Sequence, residues 1–121
     1  ESDADALAAL KAGVDAAGYG AQLTISQTDL ANAPLTGETL PPVDLAIIDP
    51  PRSGAAAQVT ALVDASSPPQ RIAMVSCNPA SFARDAAMLV AGGYVFDRLR
   101  MIDQFRFAPH VELVAGFVRQ D

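Results

Sequence analysis

One cysteine occurs in the chain, Cys77, placed after the apolar run Arg71-Ile72-Ala73-Met74-Val75-Ser76 and directly before Asn78-Pro79. Read as a strand followed at once by a helix, this stretch carries a thiol to a strand's carboxyl end, where ligands bind in open α/β sheets. A thiol there can act as a nucleophile. A lone cysteine is equally a common small core hydrophobe, although Ser76 and Asn78 favour a turn or helix cap over a core. On position alone both readings stand. Asp49-Pro50-Pro51-Arg52-Ser53-Gly54 closes a second apolar run. Its prolines stiffen a loop that can flank a planar base, and Arg52 offers a donor fork for phosphate or carbonyl oxygens; a stiff turn anchored by an ion pair accounts for the same residues. His110-Val111-Glu112 ends the loop that starts at Asp103, and in extended form it puts two ionisable side chains on one face. His110 would then serve as the base of a Cys–His dyad, or simply be solvated. With one histidine and one cysteine, a zinc site within the chain is not expected, and neither a Walker sequence nor Gly-x-Gly-x-x-Gly occurs.

The elements that must position these groups follow from the hydrophobic pattern. Ser2 or Asp3 caps a helix to about Ala17, with Leu7, Leu10 and Val14 on one face and Gly18-Tyr19-Gly20 ending it. Gln22 to Gln27 alternates polar and apolar residues and predicts a strand. Residues 31 to 42 form a loop with room for one helical turn. Val43 to Ile48 is nearly continuous in apolar residues, as in a central strand buried on both faces. A helix from about Ala55 to Ala65 precedes the Cys77 strand, and Pro79 opens the next helix, with Phe82, Ala86, Leu89 and Val90 as its apolar stripe. Tyr94 to Met101 and Val111 to Val118 complete the strands. Alternating strands and helices predict an α/β domain with a mainly parallel sheet, turning antiparallel at the last strand because no helix joins the final pair.

At 121 residues, 50% of them hydrophobic and 18% charged, the chain is expected to form a single globular domain rather than a disordered segment. The formal net charge is -6, with one lysine beside seven arginines. That balance argues against this stretch alone gripping a phosphate backbone, although the arginines lie mostly in the second half and leave room for a local basic patch. No apolar run reaches the ~20 residues of a membrane helix, no basic leader is present, and a single cysteine suits a reducing compartment, so a cytoplasmic protein without membrane partners is expected. The opening Glu1-Ser2, without an initiating Met, reads as a piece of something longer.

Three blocks together resemble the RNA uracil-C5 methyltransferases, in order and in spacing: Asp49-Pro50-Pro51-Arg52-x-Gly54; Val75-Ser76-Cys77-Asn78-Pro79-Ala80-x-x-Ala83-Arg84-Asp85; and Asp103-x-Phe105 ahead of His110-x-Glu112. The resemblance runs across almost the whole chain. It implies a Rossmann-like class I sheet lacking its first strand and helix, S-adenosylmethionine as cofactor, and 5-methyluridine in tRNA or rRNA as product. It further implies Cys77 as nucleophile and Glu112 as general base. Glu1, Asp29 and Asp49 fall on the cofactor side, with Pro50, Arg52, Asn78 and His110 on the substrate side. The family's Phe-Pro-His-Thr segment is replaced by Phe105-Arg106-Phe107-Ala108, which leaves the RNA subclass open. Its Gly-rich cofactor motif, its RNA-binding barrel and, in some members, an iron-sulfur cluster would lie ahead of Glu1. These residues alone are therefore expected to turn nothing over, to bind cofactor weakly or not at all, and to self-associate. Two other readings are a non-catalytic interaction module with this fold and a cytosine-C5 methyltransferase. The latter calls for a cysteine in the Asp-Pro-Pro-Arg loop, where this chain has none.

Overall fold

The computed structural model describes residues 1–103, 107 and 110–120. It divides into two compact units, Glu1–Pro34 and Leu35–Asp121.

In the first unit, helix α1 spans Ala4–Ala16. Asp3 caps it by accepting from the Ala6 N–H at 2.8 Å, and Lys11 pairs with Asp15 one turn along at 2.7 Å. No residue of α1 is buried within the structure, so the Leu7, Leu10 and Val14 face covers no core; Leu10 is half exposed. The expected strand at Gln22–Gln27 is not one. A 3₁₀ turn takes Gly20–Gln22, and the following residues run on without a ladder partner among the described residues. Alternation supplied the strand pattern, but a strand needs a neighbour to accept its amides. Two local bonds hold this return instead: Thr28 N–H to the Glu1 carbonyl at 2.9 Å and the Gln27 amide to the Ser2 carbonyl at 3.0 Å.

The second unit is built on a four-stranded sheet in the order β1-β2-β4-β3, where β1 is Leu45–Ile48, β2 Arg71–Ser76, β3 Tyr94–Ile102 and β4 Glu112–Arg119. Strands β1 and β2 are parallel, joined through helix α2 (Ala56–Val63), while β4 runs antiparallel to both β2 and β3. Helix α3 (Pro79–Ala91) follows β2 after a two-residue turn, with Pro79 in its first turn where a missing N–H costs nothing. Both helices cover one sheet face. Ile48, Ile72, Met74, Ala115 and Phe117 from the strands meet Val59, Leu62, Phe82, Ala86 and Leu89 from the helices, and Tyr94 closes one end.

Tyr94 is buried with its hydroxyl donating to the Pro69 carbonyl at 2.7 Å, and the Arg119 guanidinium lies 5.4 Å from its ring centre. Gln58, also buried, exchanges two hydrogen bonds with the Leu35 backbone, at 2.8 and 3.1 Å.

Two expectations fail here. β1 is an edge strand rather than one buried on both faces, and Ile47 on the face away from the helices is 72% exposed. Val90, placed on the α3 stripe, lies outside it at 47% exposure, because Phe82, Ala86 and Leu89 already fill the inward arc. Among the described residues no helix is long and apolar enough to cross a membrane.

Met74 is fully buried between sheet and helices. Met74→Ala is expected to lower stability by about 2–5 kcal/mol, read as a shifted midpoint in urea unfolding; a change below about 1 kcal/mol would mean that the core does not close over β2 as described.

Candidate functional site

The carboxyl ends of β1 and β2 point the same way because the pair is parallel, with Ile48 level with Met74. Asp49 and the proline loop therefore leave β1 beside the end of β2, where Cys77 follows Ser76. Within β2 the side chains alternate: Ile72, Met74 and Ser76 are buried toward the helices, and Arg71, Ala73 and Val75 face the other way. Continuing that alternation turns Cys77 to the open face, and its side chain is half-buried with access to solvent.

Strand β4 brings Glu112 to the same place. The β2–β4 register runs from Arg71 opposite Val118 to Ser76 opposite Leu113, so Cys77 and Glu112 each stand one residue past its last pair. Glu112 also pairs with Ile102 of β3, so its backbone is fixed from the strand beyond. His110 and Val111 precede β4 and are half-buried. Of the loop ahead of them, residues 104–106 and 108–109, including the Phe105, Arg106 and Ala108 positions singled out above, lie outside the described residues.

The turn at Cys77 is pinned from its buried side. Ser76 Oγ accepts from the Asn78 N–H and donates to the Asn78 carbonyl, both at 3.2 Å. Asn78 caps α3 by accepting from the Ala80 N–H at 3.0 Å, and its amide nitrogen donates to the Arg52 carbonyl at 2.9 Å. One side chain thus ties the loop after β1 to the turn after β2. Pro50 is half-buried and the Asp49 and Arg52 side chains are exposed.

Three residues with no assigned role in the sequence tighten this junction. Arg84 Nη2 donates to the Ser53 carbonyl at 2.9 Å, and its Nε donates to Asp85 at 2.8 Å. Asp85, buried, accepts from the Ala55 N–H at 2.7 Å. Gly54 closes its turn by donating to the Pro51 carbonyl at 2.8 Å, with φ at +81° and no room for a Cβ against the Arg84 and Asp85 side chains. A signal was present: Asp85 falls three residues after Phe82, on the apolar stripe of α3, where an unpaired charge would be costly.

Glu1 and Asp29 belong to the first unit. Glu1 Oε1 accepts from the N–H groups of Ser2 and Asp3, at 2.6 and 2.8 Å. These bonds, the one from Asp3 foremost, hold its carboxyl below the ordinary 4.5. Asp29 accepts from the Asn32 side-chain amide at 2.8 Å and the Ala31 N–H at 3.1 Å, the Asn32 bond contributing most to a carboxyl held below 3.8. Both are ready acceptors for hydroxyl or amino groups of a ligand. A shallow groove of about 230 Å³ opens at the other end of the sheet, lined by Leu45, Arg71, Asp97 and Gly116, and holds none of the residues named for the site.

Residues 42–119 match the tRNA (Uracil-5-)-methyltransferase family. An uncharacterized RNA methyltransferase of Caulobacter vibrioides is 40% identical over 119 residues, which is 98% of this chain and 28% of that protein. One of Brucella suis is 43% identical over 95% of this chain and 27% of its own length. Among solved structures, the tRNA (uracil-54, C5)-methyltransferase of Pyrococcus abyssi in complex with S-adenosyl-L-homocysteine superposes with a TM-score of 0.73 at 31% identity, over 98% of this chain and 27% of that one. The chain thus spans somewhat over a quarter of these proteins.

Because these bonds hold both carboxyls low in the folded chain, the stability they lend is complete above their ordinary values, 4.5 for Glu1 and 3.8 for Asp29, and is lost as pH falls through the lowered ones. Carboxyl-carbon NMR titration is expected to place both midpoints below those values, with Asn32→Ala moving Asp29 back up. A midpoint for Asp29 that ignores Asn32→Ala would contradict the assigned cause.

Proposed function

The chain belongs to the tRNA (uracil-5-)-methyltransferase family, and from that premise we propose that it supplies the nucleophile, the general base and part of the cofactor pocket of an S-adenosylmethionine-dependent RNA methyltransferase forming 5-methyluridine. The observation that supports the reading is the β2–β4 register, which ends with Ser76 opposite Leu113 and so leaves Cys77 and Glu112 each one residue past its last pair, the thiol half-buried.

Uracil C5 is too weak a nucleophile to accept a methyl group unaided. The Cys77 thiolate adds to C6, forming an S–C6 bond, and the electron pair of the C5–C6 double bond moves onto C5 and O4. C5 in this enolate form takes the methyl group. Glu112 then removes the C5 proton, the double bond reforms, and the S–C6 bond breaks to return the thiolate. A base within folded RNA must be turned out of its stack to reach Cys77; Pro50, Arg52, Asn78 and His110 are the residues assigned to receive it.

S-adenosylmethionine, when bound, supplies an electrophilic methyl on a sulfonium. Three carboxylates are assigned to it: in the first unit Glu1, whose Oε1 is taken by two backbone N–H groups and whose Oε2 is left for a ribose hydroxyl, and Asp29, an acceptor for the adenine amino group; in the second unit Asp49, at the β1 end. The solved neighbour's S-adenosyl-L-homocysteine complex supports this choice of cofactor. The RNA partner is tRNA or rRNA. With a net charge of -6, these residues place and activate the base, while affinity for the phosphate backbone comes mainly from elsewhere in the protein.

The full-length protein containing these residues, given S-adenosylmethionine and 5-fluorouridine RNA, is expected to form a covalent adduct, because fluorine at C5 cannot leave as a proton. Cys77→Ala abolishes it. Glu112→Gln accumulates the adduct on ordinary uridine RNA and slows turnover by about 10²–10⁴-fold, the usual worth of a general base. An adduct that survives Cys77→Ala would remove the assigned nucleophile.

The 121 residues by themselves are expected to be inactive and to self-associate through the open sheet face, where Ile47 and Leu45 are exposed. Sedimentation showing a strict monomer at high concentration would refute the second statement, and methylation by these residues alone the first.

A further inference from the structure

Asp85 is the one charged side chain buried among the described residues, at 1% exposure. Its ion pair with the half-exposed Arg84 gives little net stability, since desolvating the carboxylate offsets most of the attraction, so the position calls for another account. What the pair holds supplies it. Asp85 accepts from the Ala55 N–H, Arg84 donates to the Ser53 carbonyl, and Asn78 donates to the Arg52 carbonyl, each within 2.7–2.9 Å. Backbone groups at positions 52, 53 and 55 are thus fastened to the start of α3 and its cap, and Gly54 between them is pressed against both Arg84 and Asp85.

We propose that Arg84 and Asp85 are positioning residues: they lock the Asp-Pro-Pro-Arg loop to the helix that begins two residues after Cys77, so that Arg52 and the thiol form one rigid rim. The importance of that rim rests on the function proposed above, but the coupling does not. Asn78 fixes the near side of the loop and the Arg84–Asp85 pair the far side, which leaves the exposed Arg52 side chain projecting from a backbone that cannot shift independently of Cys77.

The test uses the full-length protein containing these residues, with iodoacetamide alkylation read at the Cys77 peptide by mass spectrometry, together with amide exchange at residue resolution. The Arg84 side chain is 48% exposed, so Arg84→Ala is expected to fold. Exchange at Gly54 and Ala55 is expected to rise about tenfold through local opening, while the amides of Ile72 to Val75 keep their protection. The rate of Cys77 alkylation shifts by about threefold or more, since access and surroundings set thiol reactivity, and Arg84→Lys restores part of both effects. Asp85→Asn gives the larger loop effect; where it fails to fold, Arg84→Ala decides. Loop and strand amides loosening by one common factor would mean a general stabilising role and overturn the proposal. So would a loop that loosens with no change at the thiol, or no rescue by lysine. A full-length protein that forms no uracil adduct, with loop and thiol still coupled, would remove the proposed function and leave the coupling in place.

Discussion

The antiparallel ladder between β2 and β4 is the constraint on which the rest depends. Its register runs six residues without a shift, and the side-chain period of a strand is two, so a slip by one residue would turn every group of β4 to the opposite face. Phe117 and Ala115 would leave the core, and Glu112 would no longer follow on the Cys77 side. Burial of the core thus enforces the alignment that the proposed chemistry needs. The irregularity between Phe96 and Arg98 falls in the β3–β4 pairing instead, where a change of face leaves the thiol untouched.

Most of the second unit was legible because its signals were local and mutually consistent. Pro79 after Asn78 marks a cap and first turn, the Phe82–Ala86–Leu89 spacing marks the buried arc, and a βαβ pattern marks a parallel pair. The two strand failures have one cause. Gln22–Gln27 and Val43–Ile48 have the composition of strands, but the residues beside a strand decide whether it is paired, central or at an edge, and composition does not carry that. The candidate site was legible only in its positions. Cys77 and Glu112 stand at strand ends that pattern can find, whereas how near they come to one another depends on a register across 35 residues of chain.

The clamp around Gly54 was the least legible part. Its bonds go to backbone groups at positions 52, 53 and 55, and which carbonyl a guanidinium reaches cannot be read from its neighbours in sequence. Asp85 on an apolar stripe was the available clue, and it required asking what a buried carboxylate must accept. Polar side chains inside this unit serve the backbone throughout: Gln58 serves Leu35, Tyr94 serves Pro69 and Asp85 serves Ala55. Each substitutes for a ladder bond where the chain leaves regular structure.

Ser76 and Cys77 divide their tasks by the same geometry. Adjacent residues at a strand end point to opposite faces, so one of them must enter the core. The hydroxyl does, at 3% exposure, where its two bonds to Asn78 satisfy it and hold the turn. The thiol is thereby left on the other face, free of packing duty. Reversing the two would bury a sulfur that needs no partner and expose a hydroxyl that then pins nothing, leaving the turn, the α3 cap and the Asn78 tether to Arg52 without their common anchor. The order Ser-Cys-Asn is in this sense a structural requirement before any chemical one: the residue that fixes the turn at Cys77 must precede it, and the residue that ties in the neighbouring loop must follow.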